Sequence, residues 1–242
     1  MRIGFATLVI ATTLAVPMPG CAEPAARQIQ PLEETLRVRL SLGRRAGWTL
    51  HASGFYVTAQ GHAFTNAHAV MNCQRITLSS PGAEPVGATL LSLDTRRDIA
   101  VLRADSAAPL HLELSAGMPG PRQPVTVLSF REVPRATSPI TASASRLRAD
   151  PDGREGIVAL TSPVSDGQSG SPVIGEDGQV VGLVIGRQAD TGRAAVASRE
   201  ALAGMLSYLG LAHAPAPIEG RDPIGPMQAI GFRDALVAVS CH

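Results

Sequence analysis

The sequence predicts an all-β protein built from short antiparallel strands. Short apolar runs separated by turn residues recur between residues 53 and 198, and long helices do not alternate with them. This pattern favours an antiparallel sandwich or barrel over a doubly wound fold. Several of the runs are separated by turn-forming dipeptides, namely Gln60-Gly61, Pro81-Gly82, Asp152-Gly153 and Asp177-Gly178.

The first candidate strand is residues 36–42, where apolar and polar residues alternate with a period of two. A helix over residues 33–42 is the competing interpretation, because the same residues are good helix formers. The strands that follow are predicted at residues 53–58, 62–66, 75–80, 86–93, 98–104, 124–130, 140–149, 156–161, 171–175, 180–186 and 193–198.

One helix is predicted near the end of the chain, starting at Ser198 or Arg199. Leu202, Leu206 and Leu209 recur there at helical spacing, and Gly210 ends the run. Residues 212–226 are rich in Pro and Gly, and residues 229–241 end in an apolar, strand-like segment.

Composition fits one large or two small domains and excludes a nucleic-acid partner. The 242 residues are 45% hydrophobic and include 24 Gly and 19 Pro, which fits a folded chain with many turns. The formal net charge is +1, with both signs mixed along the chain, so no basic surface is expected. Aromatic residues make up only 3%, which is too few for base-stacking platforms.

Residues 1–22 are typical of a targeting segment. Arg2 provides the positive start, a mostly apolar stretch follows, and prolines break it before small residues. Cleavage after Ala22 would release a soluble exported protein, whereas Gly20-Cys21 resembles a bacterial lipoprotein site at which Cys21 would be acylated. Residues 23–32 read as a linker.

The other two cysteines are Cys73 and Cys241. An oxidising destination outside the cytoplasm predicts a disulfide between them, and two buried free thiols are the alternative. Such a bond would close a very long loop.

A candidate nucleophile, Ser169, lies between Gln168 and Gly170 in the segment GQSGSP at 167–172. Gly167 and Gly170, on either side of the serine, and Pro172 after them indicate a tight, exposed loop that can aim backbone amides at one point. The amides of Gly167 and Ser169 would form an oxyanion hole. A serine hydroxyl needs a base, and the base needs an orienting group.

His68 is the best candidate base among the six histidines, because it follows a predicted strand that ends in small residues. Asp98 is the candidate orienting group: it stands before an apolar strand, where a carboxylate needs a partner. Asp94 is the rival, with Arg96 or Arg97 as ion partners, and a salt bridge to either arginine is the alternative for Asp98. The chain order His68, Asp98, Ser169 differs from that of α/β-hydrolases and of subtilisin-like enzymes.

On these residues the sequence resembles trypsin-like (chymotrypsin-fold) serine peptidases, and more closely their bacterial HtrA/Deg-type branch. The resemblance covers residues 48–209 and rests on SGFYV at 53–57, GHAFTNAHAV at 61–70, DIAVL at 98–102, GQSGSPV at 167–173 and VVGL at 180–183. Several ordered blocks are more specific than any single one.

The resemblance implies two antiparallel six-stranded β-barrels, a closing C-terminal helix and a triad at the junction of the barrels. Ser169 would attack the peptide carbonyl, His68 would act as base and then acid, and Asp98 would orient His68. The sequence departs from the family pattern at Ser171 and Ala69, and Gln168 replaces the aspartate that digestive trypsins use to bind a freed N-terminus.

The resemblance also implies a specificity pocket walled by Thr161, Pro163 and Val164. Pro163 supplies no carboxylate there, so small or apolar residues should be preferred at the cleavage site over Arg or Lys.

These inferences give a signal peptide at 1–22, a linker with a first strand at 23–47, a peptidase domain at 48–211 and a C-terminal extension at 212–242 without a PDZ domain. The expected function is a periplasmic or secreted serine endopeptidase acting on protein or peptide substrates. The alternatives are a catalytically inactive binding protein of the same fold and an acyl or ester hydrolase. No cofactor or metal is expected, membrane contact is expected only if Cys21 is acylated, and the oligomeric state is open.

Overall fold

The computed structural model describes residues 50–130, 140–165, 167–187, 192–212 and 225–242. The predicted targeting segment, the linker and the candidate strand at 36–42 lie outside these residues. Within them, the first barrel contains β1 (Leu50–Tyr56), β2 (His62–Thr65), β3 (Ile76–Ser79), β4 (Val86–Asp94), β5 (Ile99–Ala104) and β12 (Leu236–Cys241). The second contains β6 (Pro124–Phe130), β7 (Ile140–Ala149), β8 (Ile157–Leu160), β9 (Pro172–Gly175), β10 (Val180–Arg187) and β11 (Ala194–Ser198).

Both barrels are closed and antiparallel, with strand orders β1-β12-β3-β4-β5-β2 and β10-β11-β8-β7-β6-β9. Closure leaves no sheet edge open to pair with another chain. The predicted all-β class and the double barrel implied by the resemblance are therefore confirmed. Every strand predicted between residues 53 and 198 is present, with small shifts at the ends.

Four helical segments accompany the barrels in the described part of the chain: α1 (Ala67–Val70), α2 (Arg199–Tyr208), α3 (Pro226–Ala229) and a 3₁₀ helix (Ile230–Ala235). The predicted C-terminal helix is α2, which begins after Ser198, whose hydroxyl accepts a hydrogen bond from the Ala201 amide. Leu202 and Leu206 are fully buried on its inner face. None of the described helices is both long and apolar enough to cross a membrane.

The two barrels share one strand arrangement, but they draw their strands from different parts of the chain. In the second barrel, its first strand, β6, lies between β7 and β9; in the first barrel, the last strand of the chain, β12, fills the equivalent place between β1 and β3. β12 lies within the segment 212–242 that was predicted as a C-terminal extension, and it forms a strand of the first barrel. Val237 and Val239 of β12 are buried in the core of the first barrel, and without this strand the barrel would be open.

Cys73 and Cys241 are joined by a disulfide, with Cα atoms 5.3 Å apart. Cys73 lies between α1 and β3, and Cys241 is the last residue of β12. The bond therefore fastens the C-terminal strand to the segment that precedes its neighbour β3.

A single apolar cluster crosses the seam between the barrels. It includes Phe55 and Ile99 from the first barrel, and Leu128 and Leu183 from the second, with Leu202 of α2 packed against them. Because this cluster is buried, the two barrels are held together by the hydrophobic effect, and side chains at the seam occupy fixed positions.

Candidate active site

His68 and Asp98 meet directly at the seam. The ring Nδ1 of His68 lies 2.6 Å from Asp98 Oδ2, and the backbone amide of His68 donates to Asp98 Oδ1 at 2.9 Å. Their side chains are only 9% and 6% exposed, so water competes little for these bonds. A carboxylate can only accept, so Nδ1 carries the proton in this contact and Nε2 is left as the basic nitrogen.

Asp98 reaches His68 from an unusual backbone conformation. Its φ is +56°, in the left-handed region, which Asp tolerates better than most residues because its short side chain can bond locally. Its carbonyl oxygen accepts a hydrogen bond from Asn66 Nδ2 at 3.0 Å. The turn before β5 is thus bent so that the carboxylate faces α1 rather than the strand that follows.

The rival acid, Asp94, is engaged elsewhere. Arg97 Nη1 lies 2.9 Å from Asp94 Oδ2, and the amides of Arg96 and Arg97 both donate to Asp94 Oδ1. Burial tends to raise the pKa of Asp94, but these hydrogen bonds and the charge of Arg97 outweigh it and hold the pKa below its usual value. Arg97 is therefore the ion partner of Asp94 and not of Asp98.

Ser169 is half-buried in the loop that precedes β9, and this loop is docked on the first barrel. The Ser169 carbonyl accepts from the Ser53 amide at 3.0 Å, and the Gly170 amide donates to the Val184 carbonyl at 2.8 Å. A Cβ at Gly170 would lie 1.9 Å from the Ser53 carbonyl oxygen, and its φ is +84°. Only glycine fits beside the candidate nucleophile.

Gly167 and Ser169 carry the two amides predicted to form the oxyanion hole. The backbone N–H groups of Gly167 and Ser169 donate to no acceptor within the described part of the chain. The loop that carries them is braced on both sides, since Ser53 Oγ donates to the Gly167 carbonyl at 3.0 Å and Gln168 Nε2 donates to Ser129 Oγ at 3.1 Å. Free amides in a fixed loop are what oxyanion binding requires.

Ser169 and His68 are not hydrogen-bonded to each other, as judged from the residues that the structure describes. The hydroxyl of Ser169 lies 3.7 Å from the place where a Cβ of Gly186, in β10, would stand. Contacts between nucleophile and base are often long in the absence of substrate.

The three residues predicted to wall a specificity pocket have different surroundings. Val164 is buried and belongs to the core cluster of the second barrel, together with Ala194 and Val196. Thr161 and Pro163 are exposed, and the Thr161 hydroxyl accepts from the Arg146 amide at 3.2 Å. A groove of about 450 Å³ lies elsewhere, beside Ser115, Met118, Pro119, Glu176 and Asp177, and none of the candidate catalytic residues lines it.

Two residues that hold the site were not singled out from the sequence. Ser53 anchors the nucleophile loop through both its amide and its hydroxyl, and Asn66 binds the carbonyl of Asp98. Both stand inside the sequence blocks at 53–57 and 61–70, but a block of residue types does not show which distant loop it will touch.

A double barrel, a paired His68 and Asp98, and Ser169 on a glycine-containing loop docked on the first barrel are features of the serine-peptidase class. Comparison with known families agrees, because the model of the trypsin-like peptidase domain matches residues 52–183. The chain belongs to this family.

The chain is similar to several named serine proteases. It is 30% identical to serine protease Rv3671c of Mycobacterium tuberculosis over 181 residues, covering 70% of this chain and 45% of that protein. It is also 30% identical to mitochondrial serine protease HTRA2 of Bos taurus over 140 residues, covering 55% of this chain and 31% of that protein. The chain thus spans less than half the length of these relatives.

Solved structures share the fold. The inactive form of the Rv3671c protease is 27% identical and superposes with a TM-score of 0.53, covering 67% of this chain and 88% of that one. The protease domain of MamO from Magnetospirillum magneticum is 17% identical and superposes with a TM-score of 0.55, covering 64% of this chain and 87% of that one. At this identity the similarity is one of fold alone.

Proposed function

We propose that the protein is an exported serine endopeptidase that cleaves peptide bonds through His68, Asp98 and Ser169. The observation that carries this proposal is the paired contact of Asp98 with both the amide and the ring of His68. That geometry fixes the imidazole in one orientation and one tautomer, with its basic nitrogen free for a hydroxyl proton. A buried salt bridge to arginine, the structural alternative for Asp98, is absent from the described residues, where Arg97 pairs with Asp94.

In the proposed reaction, Ser169 Oγ attacks the peptide carbonyl while its proton passes to His68 Nε2. The C=O bond becomes a C–O⁻ single bond, and the amides of Gly167 and Ser169 bind the oxyanion. The C–N bond then breaks as His68 returns the proton to the leaving amine, which leaves an acyl-enzyme on Ser169. Water then attacks the acyl-enzyme carbonyl while its proton passes to His68. The C–O bond to Ser169 breaks as His68 returns the proton to Ser169 Oγ, and the carboxylic acid product is released. Asp98 stays ionised and stabilises the imidazolium throughout.

The substrates proposed are proteins or peptides with small or apolar side chains at the cleavage site. The predicted wall residue Val164 supports this, since it packs with Ala194 and Val196 in an uncharged core cluster of the second barrel. No carboxylate is present among residues 161–164 to attract Arg or Lys. A peptide-library profile should therefore be led by Ala, Val or similar residues, and a profile dominated by Arg would contradict the assignment.

Export to the periplasm or the outside of a bacterial cell is proposed for the same protein. The targeting pattern at residues 1–22 supports it, as does a disulfide, which forms in oxidising compartments. A relative in Halomonas elongata carries the name probable periplasmic serine endoprotease DegP-like and is 27% identical over 133 residues. Mass spectrometry of the mature N-terminus distinguishes cleavage after Ala22 from acylation at Cys21.

The decisive experiment is labelling with a fluorophosphonate probe, which reacts only with an activated serine. The wild-type protein should be labelled at Ser169, and Ser169→Ala and His68→Ala should not be labelled. Ser171→Ala is the matched control, because the Ser171 hydroxyl is buried and has no partner in the described residues. Asp98→Asn should slow labelling by a factor of about 10⁴ while leaving the fold intact. Labelling that persists in Ser169→Ala would overturn the proposal.

A catalytically silent binding protein is the second candidate, and the missing hydrogen bond between Ser169 and His68 is the observation that favours it. An inert wild-type protein that still binds peptides would support this reading.

An acyl or ester hydrolase with the same triad is distinguished from an endopeptidase by comparing casein cleavage with turnover of small esters.

A further inference from the structure

Asn66 has no role in the mechanism above, yet it is one of the most completely buried polar residues of the molecule, with 0% exposure. It stands at the N-cap of α1, where an asparagine side chain ordinarily accepts a hydrogen bond from the helix. Its side chain makes no such bond. The amide is used elsewhere.

The side-chain amide of Asn66 links the two barrels. Its Nδ2 donates to the carbonyl of Asp98 at 3.0 Å, just before β5 of the first barrel, and to the carbonyl of Val184 at 3.2 Å, in β10 of the second. Because both acceptors are carbonyl oxygens, only the nitrogen can face them, and the orientation of the amide is fixed.

The Val184 carbonyl also accepts from the amide of Gly170 at 2.8 Å. Asn66 therefore shares an acceptor with the residue that follows Ser169, while its other bond holds the residue that orients His68. Its hydrogen bonds therefore link Asp98 to the Ser169 loop without involving the imidazole of His68.

This arrangement leaves the Asn66 Oδ1 atom buried and without a hydrogen-bond partner among the described residues. An unpaired amide oxygen in the interior destabilises the fold, so filling space does not explain the residue. Asp98 in turn needs an anchor, because its left-handed backbone conformation is costly for a residue other than glycine.

We propose that Asn66 is a positioning residue that sets the spacing between the His68–Asp98 pair and the Ser169 loop across the barrel seam. The proposal rests on the proposed peptidase function, and it identifies a residue that acts through others without touching the substrate. Losing the amide donor removes a partner from the Asp98 carbonyl and leaves the Val184 carbonyl bonded to the Gly170 amide without its link to Asn66. The acid and the nucleophile loop can then shift relative to each other.

The test compares three variants with the wild type in peptide cleavage. Asn66→Ala removes the amide, and Asn66→Ser removes it too but keeps a small neutral polar group at this buried N-cap position. Leu78→Ala, in the separate core of the first barrel, is the control that lowers stability away from the seam. Both Asn66 variants should lose kcat by about 10²-fold, because small displacements of catalytic groups are costly, with KM little changed. Leu78→Ala should retain kcat per folded molecule.

A second readout does not depend on turnover. The short bond between His68 and Asp98 should give a downfield proton resonance for the ring Nδ1–H, which is assigned by its loss in His68→Ala. This resonance should move or vanish in both Asn66 variants and persist in Leu78→Ala. If Asn66→Ala fails to fold, Asn66→Ser carries both measurements, because serine is a good N-cap residue and introduces no charge.

The outcomes separate the two proposals. An Asn66→Ala variant with kcat within about threefold of the wild type, or with an unchanged resonance, would overturn the role of Asn66. A wild-type protein that neither cleaves peptides nor reacts with the probe would overturn the peptidase function. In that case the resonance alone decides whether Asn66 positions Asp98.

Discussion

Breaking the Cys73–Cys241 disulfide should destabilise the protein by several kcal/mol. The bond joins residues separated by 168 positions in the sequence. In the chain-entropy model a loop of that length is worth about 5 kcal/mol, and native disulfides typically contribute about 2 to 5 kcal/mol when removed. For a chain of this size such a loss lowers Tm by roughly 5 to 20 °C.

The strand that carries Cys241 makes this loss specific to one barrel. β12 is paired with β1 along six residue pairs and with β3 along four. Once the disulfide is gone, the strand is held by noncovalent contacts, chiefly these ladders and the burial of apolar residues such as Val237 and Val239. Fraying should therefore begin at β12.

The assay is thermal unfolding of the mature protein, compared with the double variant Cys73→Ala/Cys241→Ala. Hydrogen exchange should show the loss of protection first in residues 236–241 and in the β3 strand beside them. A Tm within about 2 °C of the wild type would refute the reasoning. So would alkylation of both cysteines in the native, unreduced protein, since a disulfide leaves no thiol to alkylate.

Three further predictions concern the nucleophile loop and the stability of the protein at acidic pH. Gly170→Ala should abolish probe labelling, because its Cβ would clash with the backbone at Ser53; activity at the wild-type level would contradict the docking of the loop. Ser53→Ala removes the hydroxyl bond to the Gly167 carbonyl and should lower kcat about tenfold by loosening an oxyanion amide, measured as kcat against KM on one peptide. The pKa of Asp94 is lowered in the folded state, so its stabilisation is present above its unfolded pKa and is lost as pH falls through the folded value. Urea unfolding between about pH 5 and pH 2 should thus show a steeper loss for the wild type than for Asp94→Asn, and parallel curves would count against the Arg97 pairing.

The strands were predictable because their signal is local. Alternating apolar residues and turn dipeptides report on a strand a few residues long, and β2, β6 and β7 lie close to the predicted ranges. The helix α2 was predictable for the same reason, from leucines at helical spacing and a serine cap. The position of Leu236–Cys241 was not, because its apolar pattern predicts a strand without saying which strands it will pair with.

The residues of the candidate site were likewise only partly predictable from the sequence. The motif blocks singled out His68, Asp98 and Ser169, and the structure brings the first two into contact at 2.6 Å. Asn66 and Ser53 were hidden, since their importance lies in carbonyls more than 100 positions away, at Val184 and Gly167.

The strand content, the class of fold and the residue types available for acyl transfer could be read from the amino-acid sequence, because these depend on neighbours along the chain. Three features became visible in the folded molecule alone: β12 completes the first barrel, Arg97 pairs with Asp94 and leaves Asp98 for His68, and the buried amide of Asn66 spans the seam. These features depend on barrel closure, which brings distant backbone groups within hydrogen-bonding distance, where most buried polar groups find their partners.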